Sequence, residues 1–173
     1  TEVDQLRQSG CLLGMFGACA MAALTSLASR KPVRGAIEVG TGFEMFTNEI
    51  YGPVLNKVYC LESEIADYPR IVIGEGLVDY LNSPISLETD QKRADFIEKQ
   101  RDRCRKMIFK DGDDQFCLNY LSDEVRNLES ADFDKSLKSA KEFGQDELKK
   151  YQSNEDHKLL ERYKKLCKYL HAS

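Results

Sequence analysis

Short apolar runs that alternate or end at glycine, set among longer amphipathic stretches, predict an α+β fold. It consists of an antiparallel-rich sheet, packed helices and a C-terminal helical extension. Three observations carry this. Arg70-Ile71-Val72-Ile73 reads as a short buried strand bounded by Gly74 and Gly76. Residues 106–110 and 115–121 alternate on either side of Asp111-Gly112-Asp113-Asp114, which is a hairpin signal. Residues 132–152 and 155–171 place Phe133, Leu137, Phe143, Leu159, Tyr163 and Leu166 at helical spacing among lysines and glutamates.

The remaining elements can be taken in chain order. Residues 11–28 have the length at which a membrane span is weighed. Their small side chains, the absence of an obvious cleavage site and the lack of a linker behind them favour a helix packed closely on a sheet, stopped by Ser29-Arg30-Lys31-Pro32. Residues 33–39 alternate and read as a strand, with Gly35 for close approach and Gly40 at a turn. A second short strand is predicted over 44–51. Gly52-Pro53 then opens a helix, because proline fits a first helical turn, and Val54, Leu55, Val58, Leu61 and Ile65 form its apolar stripe to about Asp67. Pro69 breaks it. A charged helix is predicted over 89–105, and Ser153 or Asn154 is expected to cap the last helix.

Composition narrows the function classes. A chain of 173 residues with 42% hydrophobic content buries one core, so one domain with an appendage is expected: residues 1–125 carrying the sheet and 126–173 a helical extension packed on it. A net charge of −4 with interspersed signs gives no basic face for nucleic acid and no polybasic tract for anionic lipid. Six scattered cysteines, with no CxxC pair, fit free thiols in a reducing cytoplasm rather than a zinc site.

The order of motifs between Arg34 and Ile71 carries a resemblance. Arg34-Gly35-Ala36-Ile37 with Gly40, then Ile50-Tyr51-Gly52-Pro53, the helix from Asn56 to Leu61-Glu62-Ser63, and Ala66-Asp67-Tyr68-Pro69-Arg70-Ile71 together resemble the class III nucleotidyl cyclase superfamily. The closer likeness is to its bacterial pyrimidine cyclases. The resemblance covers about half the chain and implies a ferredoxin-like cyclase fold, so that residues 1–125 form a partial cyclase-like domain. It also implies conversion of UTP or CTP to cyclic UMP or cyclic CMP as a signal in antiphage defence. The implied assembly is a cytoplasmic homodimer with active sites between subunits.

Such chemistry needs two divalent cations, Mn2+ or Mg2+, held by carboxylates, and donors facing charge that develops on the α-phosphate. By resemblance, Asn56 orients the ribose; read from the residues alone it is equally a solvent-facing helix asparagine. The arginine expected one turn later is Cys60, which leaves Lys57 or Arg70 as stand-ins, each otherwise a solvated surface charge. Lys110, beside the late hairpin, is the nearest match to a phosphate-contacting lysine. Glu38 could read a base or face solvent, and Tyr51 could contact nucleotide or fill a core. The metal-binding aspartates are implied upstream of the matched helix, and hence upstream of Thr1.

Other candidates fall away. Gly40-Thr41-Gly42 lacks the third glycine and following helix of a phosphate loop. Asp111–Asp114 lacks the spacing of a calcium loop and reads as a turn. His157 and His171 have no triad partners at useful spacing. The chain is therefore expected to be a pyrimidine nucleotide cyclase or, alternatively, a cyclase-fold module that binds nucleotide or dimerises without catalysis.

Overall fold

The N-terminal run is free of proline and spaces Leu12, Leu13, Phe16, Ala20, Ala23, Leu24 and Leu27 so that they share one side of a helix. In the computed structural model, which describes residues 2–47, 49–85, 91–128, 132–153 and 156–172 and only the backbone of 2–10, this is α1 (Glu2–Ala28), and the whole stripe is buried. Arg30 ends it by adopting a left-handed φ of 61°. Its amide bonds the Leu27 carbonyl at 2.9 Å and the Lys31 amide bonds that of Ser26 at 2.8 Å, the paired pattern that closes many helices.

The main sheet has four short strands: β1 (Gly35–Ile37), β4 (Ile71–Ile73), β5 (Ile108–Lys110) and β6 (Phe116–Leu118), in the spatial order β1-β4-β6-β5. β1 and β4 are parallel and the other two pairings antiparallel, so the sheet is mixed and the fold α+β. Registry places Ala36, Val72, Cys117 and Phe109 in one row across the sheet. That face packs against Leu61, Ile65 and Ala66. The alternate residues Ile37, Ile71, Ile73 and Leu118 point the other way, into the core shared with Phe16 and Leu24.

Helices complete that core. α3 (Glu75–Asn82) contributes Leu77 and Leu81, α4 (Gln91–Lys106) contributes Ile97 and Cys104, and α5 (Asp123–Leu128) contributes Val125. α6 (Phe133–Gln152) and α7 (His157–His171) pair, with Phe143 edge-on to Tyr163. A Cβ on Gly144 would lie 3.2 Å from Cys167 Sγ, so glycine is what lets these two helices approach. α1 lies against α4 and α6, and a Cβ on Gly14 would meet open space, so its small residues serve helix contacts more than the expected close approach to the sheet. By length and composition Cys11–Ala28 could cross a membrane; here its buried stripe belongs to the core.

Several local expectations are corrected. The single strand predicted over 44–51 is an exposed hairpin, β2 (Phe43–Phe46) and β3 (Glu49–Tyr51), separate from the main sheet and irregular between Glu44 and Phe46. The strand predicted over 33–39 keeps only its middle three residues. α7 is capped by Asp156, whose carboxylate accepts from the Leu159 amide at 3.1 Å, whereas Ser153 ends α6 and Asn154 lies outside the described residues. The start expected at Thr89 also lies outside them.

Arg70 is the largest departure. Read as a surface charge, it is 3% exposed. Its Nη1 donates to Asp111 at 2.6 Å and its Nη2 to Asp113 at 2.6 Å and to the Ile65 carbonyl at 2.7 Å, while the guanidinium covers the Tyr68 ring. The Tyr68 hydroxyl donates to the same Asp111 carboxylate at 2.6 Å. The hairpin turn is thereby clamped to the entrance of β4. Burial alone would raise the Asp111 carboxyl, but hydrogen bonds from Tyr68, Gly112 and Arg70 outweigh it and hold the group below its ordinary value. Asp113 is lowered chiefly by its bond from Arg70.

Asp111 and Asp113 retain 24% and 43% side-chain exposure, so they recover water when Arg70 is removed. Arg70→Ala is therefore expected to cost about 2–3 kcal/mol, less than the roughly 3–5 kcal/mol of a fully buried broken pair. Because both carboxyls are depressed in the folded state, the clamp's contribution is complete above their unfolded value of about 3.9 and fades as pH falls through the lower folded values. Urea unfolding should show the wild-type advantage over Arg70→Ala intact at neutral pH and shrinking below about pH 4.

Candidate functional site

The segment that joins the β2–β3 hairpin to the next helix is built around a backbone conformation that favours glycine. Gly52 has φ 147°, and a Cβ there would sit 2.5 Å from the Thr41 carbonyl oxygen and 2.9 Å from the Gly42 Cα. Pro53 comes next, at the first helical position of α2 (Pro53–Cys60), as the sequence predicts. The hairpin folds back over the end of β1, leaving a shallow cavity of about 480 Å3 lined by Glu38, Gly40, Gly42, Phe43, Ile50 and Val54 among others. The two glycines of Gly40-Thr41-Gly42 thus line this cavity, although the motif is no phosphate loop.

Past Cys60 the chain widens into a π-helical turn, Leu61–Ile65, closed by the Ala66 amide on the Leu61 carbonyl at 2.9 Å. Leu61 and Ile65 pack toward the sheet, but neither α2 nor the turn has a fully buried side chain. The predicted stripe is real in spacing and only half covered. Leu55 is exposed, and Val54 and Val58 are intermediate.

Asn56 and Lys57 are both exposed on α2, and neither side chain makes a hydrogen bond or ion pair with a described residue. Tyr51 is also exposed. Its hydroxyl donates to Glu49 at 2.8 Å and its ring stacks with Phe43 at 6.5 Å; that bond to Glu49, with some burial, raises the phenol above its ordinary value. Asn56, Lys57 and Tyr51 are thus all exposed within one short stretch of chain. Cys60 is exposed at the end of the same helix.

Glu38 has a different task from either one expected. Its carboxylate accepts from the Val39 amide at 2.8 Å and, more weakly, from the Gly76 amide at 3.4 Å, so it is turned toward the start of α3. A Cβ on Gly74 would collide with Glu38 Oε2, and one on Gly76 would stand 2.8 Å from Oε1. The two glycines that bound the buried strand thus make the seat for this side chain. An anion at a helix start is favoured by the free amides and by the helix dipole.

Lys110 is not brought to this region. It lies on β5, at the far edge of the sheet from β1, about 14 Å away by strand spacing. There it pairs with Asp114 at 2.9 Å and lies over the Phe116 ring. Arg70 is withdrawn too, since its guanidinium serves Asp111 and Asp113. Arg34, at the head of the matched segment, is held by Glu62 at 2.9 Å and donates to the Ala66 carbonyl at 3.2 Å.

No protein-family model, curated protein or solved structure matches this chain. The site is therefore judged on its own chemistry. It offers one free side-chain amide and one free ammonium on α2, and the hairpin before it exposes Phe43, Met45, Phe46 and Ile50, with Phe43 and Ile50 on opposite faces of the ribbon. Among the described residues no group of three or more His, Cys, Asp or Glu side chains is placed to hold a metal ion, and all six cysteines are free thiols.

The turn into α2 is the part most sensitive to substitution. Gly52→Ala is expected to cost about 1–3 kcal/mol through its backbone conformation alone, and more from contact with Thr41. The denaturant midpoint should fall accordingly, and hydrogen exchange should quicken in α2 before it does in β4 or α1.

Proposed function

We propose that this chain supplies the nucleotide-facing helix of a homodimeric pyrimidine nucleotide cyclase with the ferredoxin-like cyclase fold. The observation that carries the reading is the unpartnered side chains of Asn56 and Lys57, presented on α2 directly after the exposed β2–β3 hairpin with its Phe43, Met45, Phe46 and Ile50. Exposed apolar side chains suit a second subunit, and free polar groups close to them in the chain suit a ligand held at the joint.

In the proposed reaction the 3′-hydroxyl of UTP or CTP attacks its own α-phosphorus. A bond to the 3′ oxygen forms, the bond to the β-phosphate bridging oxygen breaks, and pyrophosphate leaves. Asn56 orients the ribose through its side-chain amide, and Lys57 offers a cation toward the phosphates. Tyr51 borders the same entrance. The Mn2+ or Mg2+ of such a reaction would neutralise phosphate charge. The described residues do not form a site for it, so no step is assigned to the metal. The cyclic nucleotide produced would act as a second messenger in antiphage defence.

A second reading, a cyclase-fold module that binds nucleotide or dimerises without catalysis, draws on Cys60 and Arg70. The first puts a thiol where an arginine is expected, and the second is consumed by its clamp. The two readings separate in one assay. With Mn2+ or Mg2+, the complete protein is expected to convert UTP or CTP to a 3′,5′-cyclic product. Asn56→Ala should lower that turnover by about a hundredfold, with the thermal midpoint unchanged. Full activity in the variant would sink the role given to Asn56, and absence of any cyclic product would favour the binding module.

A further inference from the structure

The larger of the two described cavities, about 1060 Å3, lies away from Asn56, between the last turns of α7 and the β5–β6 hairpin with the segment that succeeds it. That is the upper end of the range, roughly 300–1,000 Å3, in which pockets hold drug-sized ligands. It stays open for a reason visible in the sheet. The face carrying Ala36, Val72, Cys117 and Phe109 is packed by Leu61, Ile65 and Ala66, whereas Phe109, on the outermost strand, is met instead by Tyr169 of α7, stacked at 5.1 Å and 18°. Tyr169 is fixed in turn by its hydroxyl on Asn119 at 2.9 Å and by the edge of Tyr120 at 4.8 Å. Farther up α7, Arg162 and Lys165 bind Asp67 at 3.1 and 3.2 Å. The helix is thus pinned at both ends of a gap.

Charge within the gap is unevenly spent. The carboxylates Asp111 and Asp113 share the single charge of Arg70, Glu124 is paired with Arg103 at 2.8 Å, and Asp123 has no ion pair with a described residue. On the opposite wall Lys168 has no ion pair with a described residue, and Lys165 shares Asp67 with Arg162. At the floor, Arg70 Nε is buried without a hydrogen-bond partner. Asp123, Ser122 and Asn119 supply hydrogen-bonding edges, and Phe109 with Tyr169 an aromatic wall. We propose that this cavity is a second ligand site, which takes a planar aromatic anion of nucleoside monophosphate size. Its phosphate meets Lys165 and Lys168, and its ring packs against the outer side of the stacked Phe109–Tyr169 pair. A charge-assisted contact to phosphate and a stacked ring are the two recognition terms the walls provide.

The proposal goes beyond the cyclase reading and does not need it. Titrating the full chain with adenosine 5′-monophosphate and, separately, uridine 5′-monophosphate should give saturable heat and raise the thermal midpoint, with inorganic phosphate as the control for charge alone. Lys168 is exposed, so Lys168→Glu folds normally; it should weaken nucleotide binding about tenfold or more, while Lys149→Glu, the same charge reversal on an exposed position of α6, leaves it unchanged. No binding of either nucleotide, equal protection by inorganic phosphate, or undiminished affinity in Lys168→Glu would each overturn it. Nucleotide binding lost in Asn56→Ala but kept in Lys168→Glu would also overturn it, by placing the ligand at α2.

Discussion

The buried guanidinium of Arg70 is the constraint around which the rest of the molecule is arranged. A charge that is 3% exposed is tolerable only if its donors are met, and here the Ile65 carbonyl, Asp111 and Asp113 meet two of its three nitrogens. Satisfying them forces three pieces of chain together: the end of the π-helical turn, the start of β4 and the turn of the β5–β6 hairpin. Tyr68 adds a second donor to Asp111 and lies against the cation, so the apolar and polar parts of the contact reinforce one another. The short strands have little ladder of their own. Three-residue strands make few hydrogen bonds, and the clamp fixes at their ends what the ladder holds only weakly along their length.

The clamp also decides what the candidate site can contain. An arginine engaged with two carboxylates and a carbonyl cannot turn to a phosphate without leaving both acids partly buried and unpaired. Glu38 is similarly committed, since its carboxylate fills space that Gly74 and Gly76 leave open at the start of α3. What remains uncommitted is Asn56 and Lys57, and the hairpin just before them in the chain exposes Phe43, Met45, Phe46 and Ile50. Side chains such as Phe46, 65% exposed, and Tyr59, 69% exposed, gain when a partner covers them. The same short region thus lacks both polar partners and apolar cover.

Legibility in the sequence tracked the range of the interactions involved. The run Ile71–Ile73, the two arms around Asp111–Asp114, and helices α6 and α7 are written in local periodicity and turn residues, and they stand where that pattern puts them. The burial of Arg70 was not legible, because its partners lie 41 and 43 residues downstream and arginine most often faces solvent. A lone arginine leading into a wholly apolar strand, with an aspartate-rich turn farther on, was the only hint. α3 was hidden for a related reason: its start has no capping side chain of its own, and the carboxylate facing it comes from Glu38. Over 44–51 the pattern reads as one short strand, whereas the chain there forms a hairpin whose described residues are all exposed. Pattern reports which residues share a face, not what will cover it.

The π-helical turn explains how one continuous helical segment serves both an exposed face and a packed one. An ordinary helix from Pro53 to Ala66 would carry the face of Asn56 and Cys60 onward in constant phase, and Ala66 could then reach the sheet only by tilting the whole segment. The i to i+5 bond between Leu61 and Ala66 admits one extra residue and rotates the chain beyond it. Ala66 becomes fully buried against Val72 and Cys117 while Asn56, Lys57 and Cys60 stay in solvent. The next residue, Asp67, is held by Arg162 and Lys165 of α7, and Arg70 is clamped three residues on. The phase change therefore lies directly between the free face of α2 and the anchored chain.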